Sequence, residues 1–453
     1  MGNLFTSLLN STGALRAYSQ ALQVVQNNVT NASTPGYVKQ VQTLHALPFD
    51  LSVGLPGGVS AGQVQSARDA FAEQNVRNHQ SALGLYQQKT SLLSGVEASF
   101  DISGKSGVPP AIDALFQGFS RLSINPSDPS ARQAVLDRAN RLAQAFHTAS
   151  SSLGATSQSV DRQTRATVSD INRIAAAISH INSERATDPH GGLDAGLDAQ
   201  LNSSLQELAQ YGDFTALQQP GGKLNLYLGG QTPIVIADQA FAIGADFSSL
   251  QTKILDADGH DITGQITQGT LRGELDVKNN LLPSYTTDLN KLAKSLADQV
   301  NTALSQGVDA NGVAPATSLF TYDAVNGAAA TIAVNSLSPD QIAAALPTAP
   351  GGNGNALILA KLGNAKAVDG ATFAEFYGAL AGRVGGDLAA ARDTHDTEQQ
   401  LLTQAQNLRQ QSSGVSLDEE ATKLIEFERA YQATSKLIGV LNDLSQTAID
   451  IIR

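Results

Sequence analysis

The chain has 453 residues, too many for one compact domain, so about two to four domains are expected. Its formal charge of −12, from 41 acidic and 29 basic residues, argues against nucleic acid as a partner. Cysteine is absent, which excludes disulfides, thiolate chemistry and Cys-based metal sites, and tryptophan is absent too, so cores must be built mainly from Leu, Ile, Val and Ala. No apolar run approaches the roughly 20 residues of a membrane span. No basic segment leads into an uninterrupted apolar one either, so no cleaved signal peptide is expected. A cytosolic protein remains, or one exported with its N-terminus intact.

In chain order, Leu4, Leu8, Ser11, Leu15, Tyr18, Leu22, Val25 and Val29 recur at alternating fours and threes. A 3.5-residue repeat keeps one seam of a helix facing a partner helix. Arg16 is almost the only charge there, so an isolated, fully solvated helix is not expected. The helix should stop near Asn28 to Asn31, and Thr34-Pro35-Gly36-Tyr37 carries the type II turn signature, Gly supplying the positive φ. Residues 38–65, with Pro56-Gly57-Gly58, predict a hairpin.

Helical patterning returns over 66–100 and 112–122. Asp128 and Pro129 then open a long helix as N-cap and first residue. Val135, Ala139, Leu142, Phe146, Ala149, Leu153, Thr156 and Val160 keep its heptad, and Ile171, Ile174, Ile178 and Ile181 continue it on a shifted face. Asp188-Pro189-His190-Gly191-Gly192 should end the run. After Tyr211 the period changes to two: Leu224, Leu226 and Leu228 alternate, and Ile234-Val235-Ile236 and Phe241-Ala242-Ile243 come next. Leu282, Tyr285, Leu289, Leu292 and Leu296 bring helix back, with Pro283 in its first turn or kinking it. Residues 307–354 are loop-like, with one or two strands expected to return to the β unit, and 372–411 are helical.

Ser412-Ser413-Gly414 is expected to hinge into a last helix, 416–453. Ser416 and Glu419 have capping-box spacing, and Asp418, Glu419 and Glu420 suit the positive end of the helix dipole. Leu424, Phe427, Tyr431, Thr434, Ile438, Leu441, Ser445, Ala448 and Ile452 repeat the 3.5 pattern, and Leu437, Leu444 and Ile451 widen it beyond what water would tolerate. The expected fold is mainly α with a β-rich insertion: terminal helices pairing as a coiled coil (1–33 plus 415–453), a long-helix bundle domain (34–210, 274–310 and 355–414) and a small central β domain (211–273 plus 311–354).

Nothing argues for catalysis. Asp256-Ala257-Asp258-Gly259-His260-Asp261 fails as a calcium loop, because its Gly stands fourth rather than sixth and no Glu closes it, so an Asp-Gly hairpin turn is the better reading. The seven His residues do not pair at ligand spacing, Gly-x-Ser-x-Gly is absent, and no cofactor is expected. Met1-Gly2-Asn3-Leu4-Phe5-Thr6 matches a myristoylation pattern, but the coiled-coil seam already accounts for the residues beyond it.

Asn28-Val29-Thr30-Asn31-Ala32-Ser33-Thr34-Pro35-Gly36-Tyr37 resembles the N-terminal signature of bacterial flagellar axial proteins (rod, hook and hook-associated proteins), within which Asn28, Asn31, Thr34, Pro35, Gly36 and Tyr37 are the marked positions. Ser413 to Glu420, with Arg429-Ala430-Tyr431-Gln432-Ala433 downstream, resembles their C-terminal signature. The interior is similar to the hook-associated protein 1 family in Asn125-Pro126-Ser127-Asp128, Ala131 to Val135, Gly273-Glu274-Leu275, Leu282-Pro283 and Gln306 to Asp309. Lys39 departs from the usual Arg, and the central insertion is short.

The resemblance implies a structural subunit of the hook–filament junction, exported by the flagellar type III apparatus and located outside the cell. It implies a ring of identical subunits, hook protein on one side, a second junction protein (hook-associated protein 3) on the other, and an export chaperone at the C-terminal helix. The assembly interface is expected at Leu4, Leu8, Leu15, Tyr18, Leu22, Val25, Val29, Leu424, Phe427, Tyr431, Ile438, Leu441, Leu444 and Ile452. A hook or distal rod protein is the alternative within the group, and a cytosolic coiled-coil scaffold or membrane-surface protein the alternative outside it.

Overall fold

The two heptad stretches form long helices at opposite ends of the chain. The structure is a computed structural model that describes residues 2–50, 55–100, 106–187, 194–219 and 222–452. α1 (Gly2–Thr30) ends where Asn31 donates backbone and side-chain N–H to Asn27 O. A hairpin comes next, with β1 (Gln40–Ala46) antiparallel to β4 (Val59–Ser66), and β2 (Phe49–Asp50) paired to β3 (Leu55–Pro56) at its tip.

α2 (Ala70–Glu97) starts at Asp69, whose carboxylate accepts from Phe71 N and Ala72 N. α3 (Val108–Ile124) leads to α4 (Pro129–Thr187), where Asp128 accepts from Ser130 N at 2.9 Å. The 59 residues of α4 run roughly 90 Å. α5 (Ala195–Tyr211) is a helix that pattern analysis did not assign, and the expected stop at Asp188 to Gly192 lies outside the described residues.

The face shift along α4 divides two cores. Val135 to Val160 pack with the end of α2, with α3 and with helices from the second half of the chain. Ile171, Ile174 and Ile178 instead pack under a sheet ordered β5 (Phe214–Gln218), β6 (Leu224–Leu228), β7 (Thr232–Ile236) and β8 (Gln239–Ala240). β9 (Gly244–Asp246) and β10 (Lys253–Leu255) form a separate pair. Phe241-Ala242-Ile243 is not a strand. There the Asn172 side chain donates to Ile243 O and accepts from Ile243 N, both at 2.9 Å, which satisfies the irregular backbone.

α6 (Gly269–Asp276), a π-turn at Val277–Leu281 and α7 (Leu282–Ser305) form one continuous run. Pro283 lacks an N–H and crowds the carbonyl four residues back, and the wider π-turn just before it relieves that clash. Pro283 therefore sits in the first turn of α7. Asn279 in the π-turn bonds both Thr252 N and Thr252 O, tying the β region to the helix.

Residues 311–354 do not join the β unit as expected. β11 (Phe320–Thr321) pairs with β12 (Ala333–Val334), on either side of the short α8 (Ala328–Thr331). Leu319, Phe320, Ala329, Ile332 and Ile342 are buried in the first core, because these apolar side chains cover α4 and α7. α9 (Gly354–Leu362), α10 (Phe373–Ser413) and α11 (Leu417–Ile452) complete the chain. The architecture is mainly α with a small β-rich insertion, the insertion sharing its core with α4, α5 and α6.

Candidate assembly interface

α1 lies between α11 on one side and the β1–β4 hairpin on the other. On α11 the positions turned from solvent are Glu420, Lys423, Phe427, Ala430, Tyr431, Thr434, Ile438, Leu441, Ser445 and Ala448, which from Phe427 onward, Ala430 apart, follow the 3.5 repeat of the sequence. On α1, Leu4, Leu8, Leu15, Tyr18 and Leu22 are half-buried and Val25 is buried. Much of the expected seam is therefore covered within one chain.

Three expected seam residues stand elsewhere. Val29, Leu424 and Leu444 are exposed, because each lies off the face that the partner helix covers. Leu444 instead joins Leu437 and Val440 in an outer stripe of α11, each side chain about half in solvent (50%, 51% and 54%). Phe5 and Leu9 leave a comparable patch on α1. Ile452 closes α11, and its side chain lies outside the described residues.

The signature residues meet around Asn28. Its amide donates to Gln40 O at 2.8 Å and to Glu420 Oε2 at 2.9 Å, while its Oδ1 accepts from Gln40 N and Tyr37 Oη, each at 2.8 Å. All four hydrogen-bonding positions of this buried amide are filled, and Asp, Leu or Ala could not fill them. Glu420 is fully buried, and Lys423 reaches its other oxygen at 3.1 Å. Burial, with the Glu420 charge nearby, pushes the Tyr37 hydroxyl up to about 12, so it stays a donor.

The turn before Tyr37 is fixed as its sequence predicts. Tyr37 N donates to Thr34 O, and Gly36 has φ +75°. A Cβ at Gly36 would also stand 2.2 Å from Ala199 O of α5, so glycine is required twice. Arg68 clamps this turn, donating to Gly36 O and Asp198 Oδ2 at 2.7 Å each and pairing with Glu73. Thr34 Oγ1 donates to Asn31 Oδ1 at 3.2 Å, and Pro35 lies exposed beside it.

At the hinge, Ser413 is buried and accepts twice, from Lys39 N at its carbonyl (3.0 Å) and from Asp69 N at its hydroxyl (3.1 Å). The joint between α10 and α11 is thus pinned to both ends of the hairpin. The expected capping box is only half formed: Glu419 N donates to Ser416 Oγ at 3.4 Å, but the Glu419 carboxylate turns to Lys39 Nζ instead. An ion pair holding α11 to the hairpin displaces the local cap.

Sequence reasoning missed Ala17 and Ala21, both buried on α1, and the inward role of Glu420 and Ser413. The alanines carry little hydrophobic signal, although their spacing of four places them on one face. Elsewhere, Asp256, Asp258 and His260 bring three ligand-type atoms within 4.8 Å, but Asp256 Oδ1 is held by the backbone N–H of Asp258 and His260 in the expected turn. No helix among the described residues is long and apolar enough to cross a membrane.

Residues 93–320, half of the chain, match the family described as "Flagellar hook-associated protein FlgK helical domain". Residues 406–451 match "Flagellar basal body rod FlgEFG protein C-terminal", the segment that holds the hinge and α11. The chain is 26% identical over 501 aligned positions to flagellar hook-associated protein 1 of Bacillus subtilis, covering 99% of each chain. It is 24% identical over 547 positions to the protein of that name from Escherichia coli, covering 98% of this chain and all of that one. The solved structure of the flagellar hook junction protein FlgK from Burkholderia pseudomallei has the same fold, with a TM-score of 0.67 at 16% identity over 76% of this chain and 100% of that one. With its helical interior and its terminal helix matched separately, the chain belongs to the flagellar hook-associated protein FlgK family.

Proposed function

We propose that this chain is a structural subunit of the junction between flagellar hook and filament, joined to its neighbours through α1 and α11. The observation that carries the reading is the outer stripe Leu437, Val440 and Leu444, left half in solvent although α1 already covers the adjacent heptad face. A helix apolar on two faces is suited to a bundle of more than two helices. The names of the B. subtilis and E. coli relatives support the same position.

Identical subunits in a ring would cover part of the stripe, with hook protein on one side and the second junction protein, hook-associated protein 3, on the other. The subunit would leave the cell through the flagellar type III apparatus with its N-terminus intact, an export chaperone shielding α11 beforehand. The rod-type match is confined to 406–451, so it speaks for a shared terminal segment rather than a rod position. The test is to add the purified chain to growing hooks of a strain lacking the junction subunit. Filaments should return. Hooks that elongate without gaining filaments would instead make it a hook-type subunit.

A further inference from the structure

Outside the terminal pair, a cleft of about 230 Å³ opens between one face of α2, the end of α5 and the start of α6. Gln74, Arg77, Asn78, Ser81 and Ala82 supply the α2 wall at helical spacing. Three side-chain atoms around this cleft are buried and without a hydrogen-bond partner in the protein: Arg77 Nε, Ser81 Oγ and Gln268 Oε1. Such orphans are rare anywhere in a folded protein, and each carries a desolvation cost. Three on one cleft point to a ligand that satisfies them together.

The charge of that ligand follows from Arg77. Its guanidinium has one bond, from Nη2 to Gln74 Oε1 at 3.0 Å, and no salt bridge among the described residues. The nearby Glu73 carboxylate is already shared by Arg68 at 2.5 Å and Arg409 at 3.4 Å. Three guanidinium groups thus face one Glu73, and Asp198, the other acid here, is held by Arg68 and Arg185. Burial lowers the Arg77 pKa, with Glu73 opposing and Arg68 and Arg409 adding to the fall, so a local positive excess persists in a protein of net charge −12. Asp213 also lines the cleft, but its carboxylate accepts from Thr267 N (3.0 Å), Thr267 Oγ1 (2.7 Å) and Gln268 N (3.1 Å), which turns its charge toward the α6 start.

We propose that this cleft is a binding site for a small carboxylate. Arg77 Nε–H and the Ser81 hydroxyl donate to its oxygens, and the Gln268 amide donates after a half-turn that exchanges its O and N. Ala82, Ala209 and Phe214 line the cleft beside these groups and suit a short alkyl group. The space holds on the order of seven water-sized volumes, enough for acetate but not for a nucleotide. The carboxylate is either a free small anion or an acidic side chain of a second copy.

The test uses the full chain labelled with ¹⁵N-arginine, titrated with sodium acetate against sodium chloride at equal ionic strength. The Arg77 Nε–H resonance, identified by its loss in Arg77→Lys, should shift saturably with acetate and not with chloride. The melting temperature should rise by a few degrees at saturation. Ser81→Ala, which fits the same space, should weaken binding several-fold, and Arg77→Gln should abolish it. A shift that grows with protein concentration in acetate-free buffer would identify a second copy's carboxylate as the occupant and support the same chemistry. No saturable shift from either source, or equal shifts with chloride, would leave ordered water only and overturn the proposal.

Discussion

Asn28 Nδ2 and Glu420 Oε2, 392 positions apart along the chain, meet at 2.9 Å in a buried joint between its two ends. The contact ties the end of α1 to the start of α11. The amide at the end of α1 needs a buried acceptor, and the carboxylate at the start of α11 needs a buried donor.

Asn28→Ala should therefore loosen both ends together. It leaves Glu420 with Lys423 alone and strips partners from Tyr37 and Gln40, a cost of about 1–3 kcal/mol for each group left unsatisfied. Limited proteolysis should show faster cleavage around 412–416, while the melting of the helical core stays unchanged. Unaltered cleavage would mean that this joint does not hold the termini.

Leu441 and Leu444 separate folding from assembly. Leu441 is buried against the chain's own α1, so Leu441→Ala should cost toward the lower end of about 2–5 kcal/mol of pairing and raise amide exchange along α1 in the free subunit. Leu444→Asp lies on the outer stripe, so the free subunit should tolerate it while failing to support filaments on hooks. Equal behaviour of the two variants in both measurements would dissolve the distinction between inner seam and outer stripe.

Deleting the β unit, 213–272, should not be tolerated. Its sheet covers Ile171, Ile174 and Ile178 of α4 and Leu275 of α6, which excision would put into water, and the cut also removes the first half of α6. A chain bridged by Gly and Ser across the gap should melt earlier and aggregate. A soluble product with an unchanged transition would show that the sheet does not share its core with α4 and α6.

Glu274 makes stability depend on pH. It is 1% exposed, one oxygen accepts from Thr167 Oγ1 at 2.9 Å and Gln88 Nε2 at 3.2 Å, and burial pushes its pKa up to about 7. The folded state then binds the proton more tightly than the unfolded chain does. Stability from this group is full below about pH 4.5 and falls as pH rises through about 7, by roughly 3 kcal/mol at most. Glu274→Gln should flatten that slope between about pH 5 and 8 and raise the melting temperature at the alkaline end. An unchanged slope would show that another group titrates.

The terminal helices, the signature turn and the face shift of α4 were legible because each rests on local chemistry: a 3.5 repeat, a Pro-Gly pair, a run of isoleucines. The joint that assembles them was not. Glu420 reads as a dipole-matching residue in an acidic first turn, and nothing local says that it is buried. Glu419 reads as half of a capping box, yet its partner, Lys39, is 380 positions away. Residues 307–354 read as loop because Ala328, Ala329, Ala343 and Ala344 fill a core by fit rather than by hydrophobic period. Val29 and Leu424 fit the repeat but lie where no partner helix reaches, which the repeat alone does not encode.

The absence of cysteine allows one direct test of the outer stripe as the assembly surface. Leu444→Cys and, as a control, Val325→Cys at a position 93% exposed, are each reacted with a maleimide, first as free subunits and then after incorporation at the hook end. Both thiols should react quickly in the free subunit. After assembly, the thiol at position 325 should stay reactive and the thiol at position 444 should be protected. If position 444 reacts as fast in the assembled junction as in the free subunit, the stripe is not the surface by which the subunit joins the axial core.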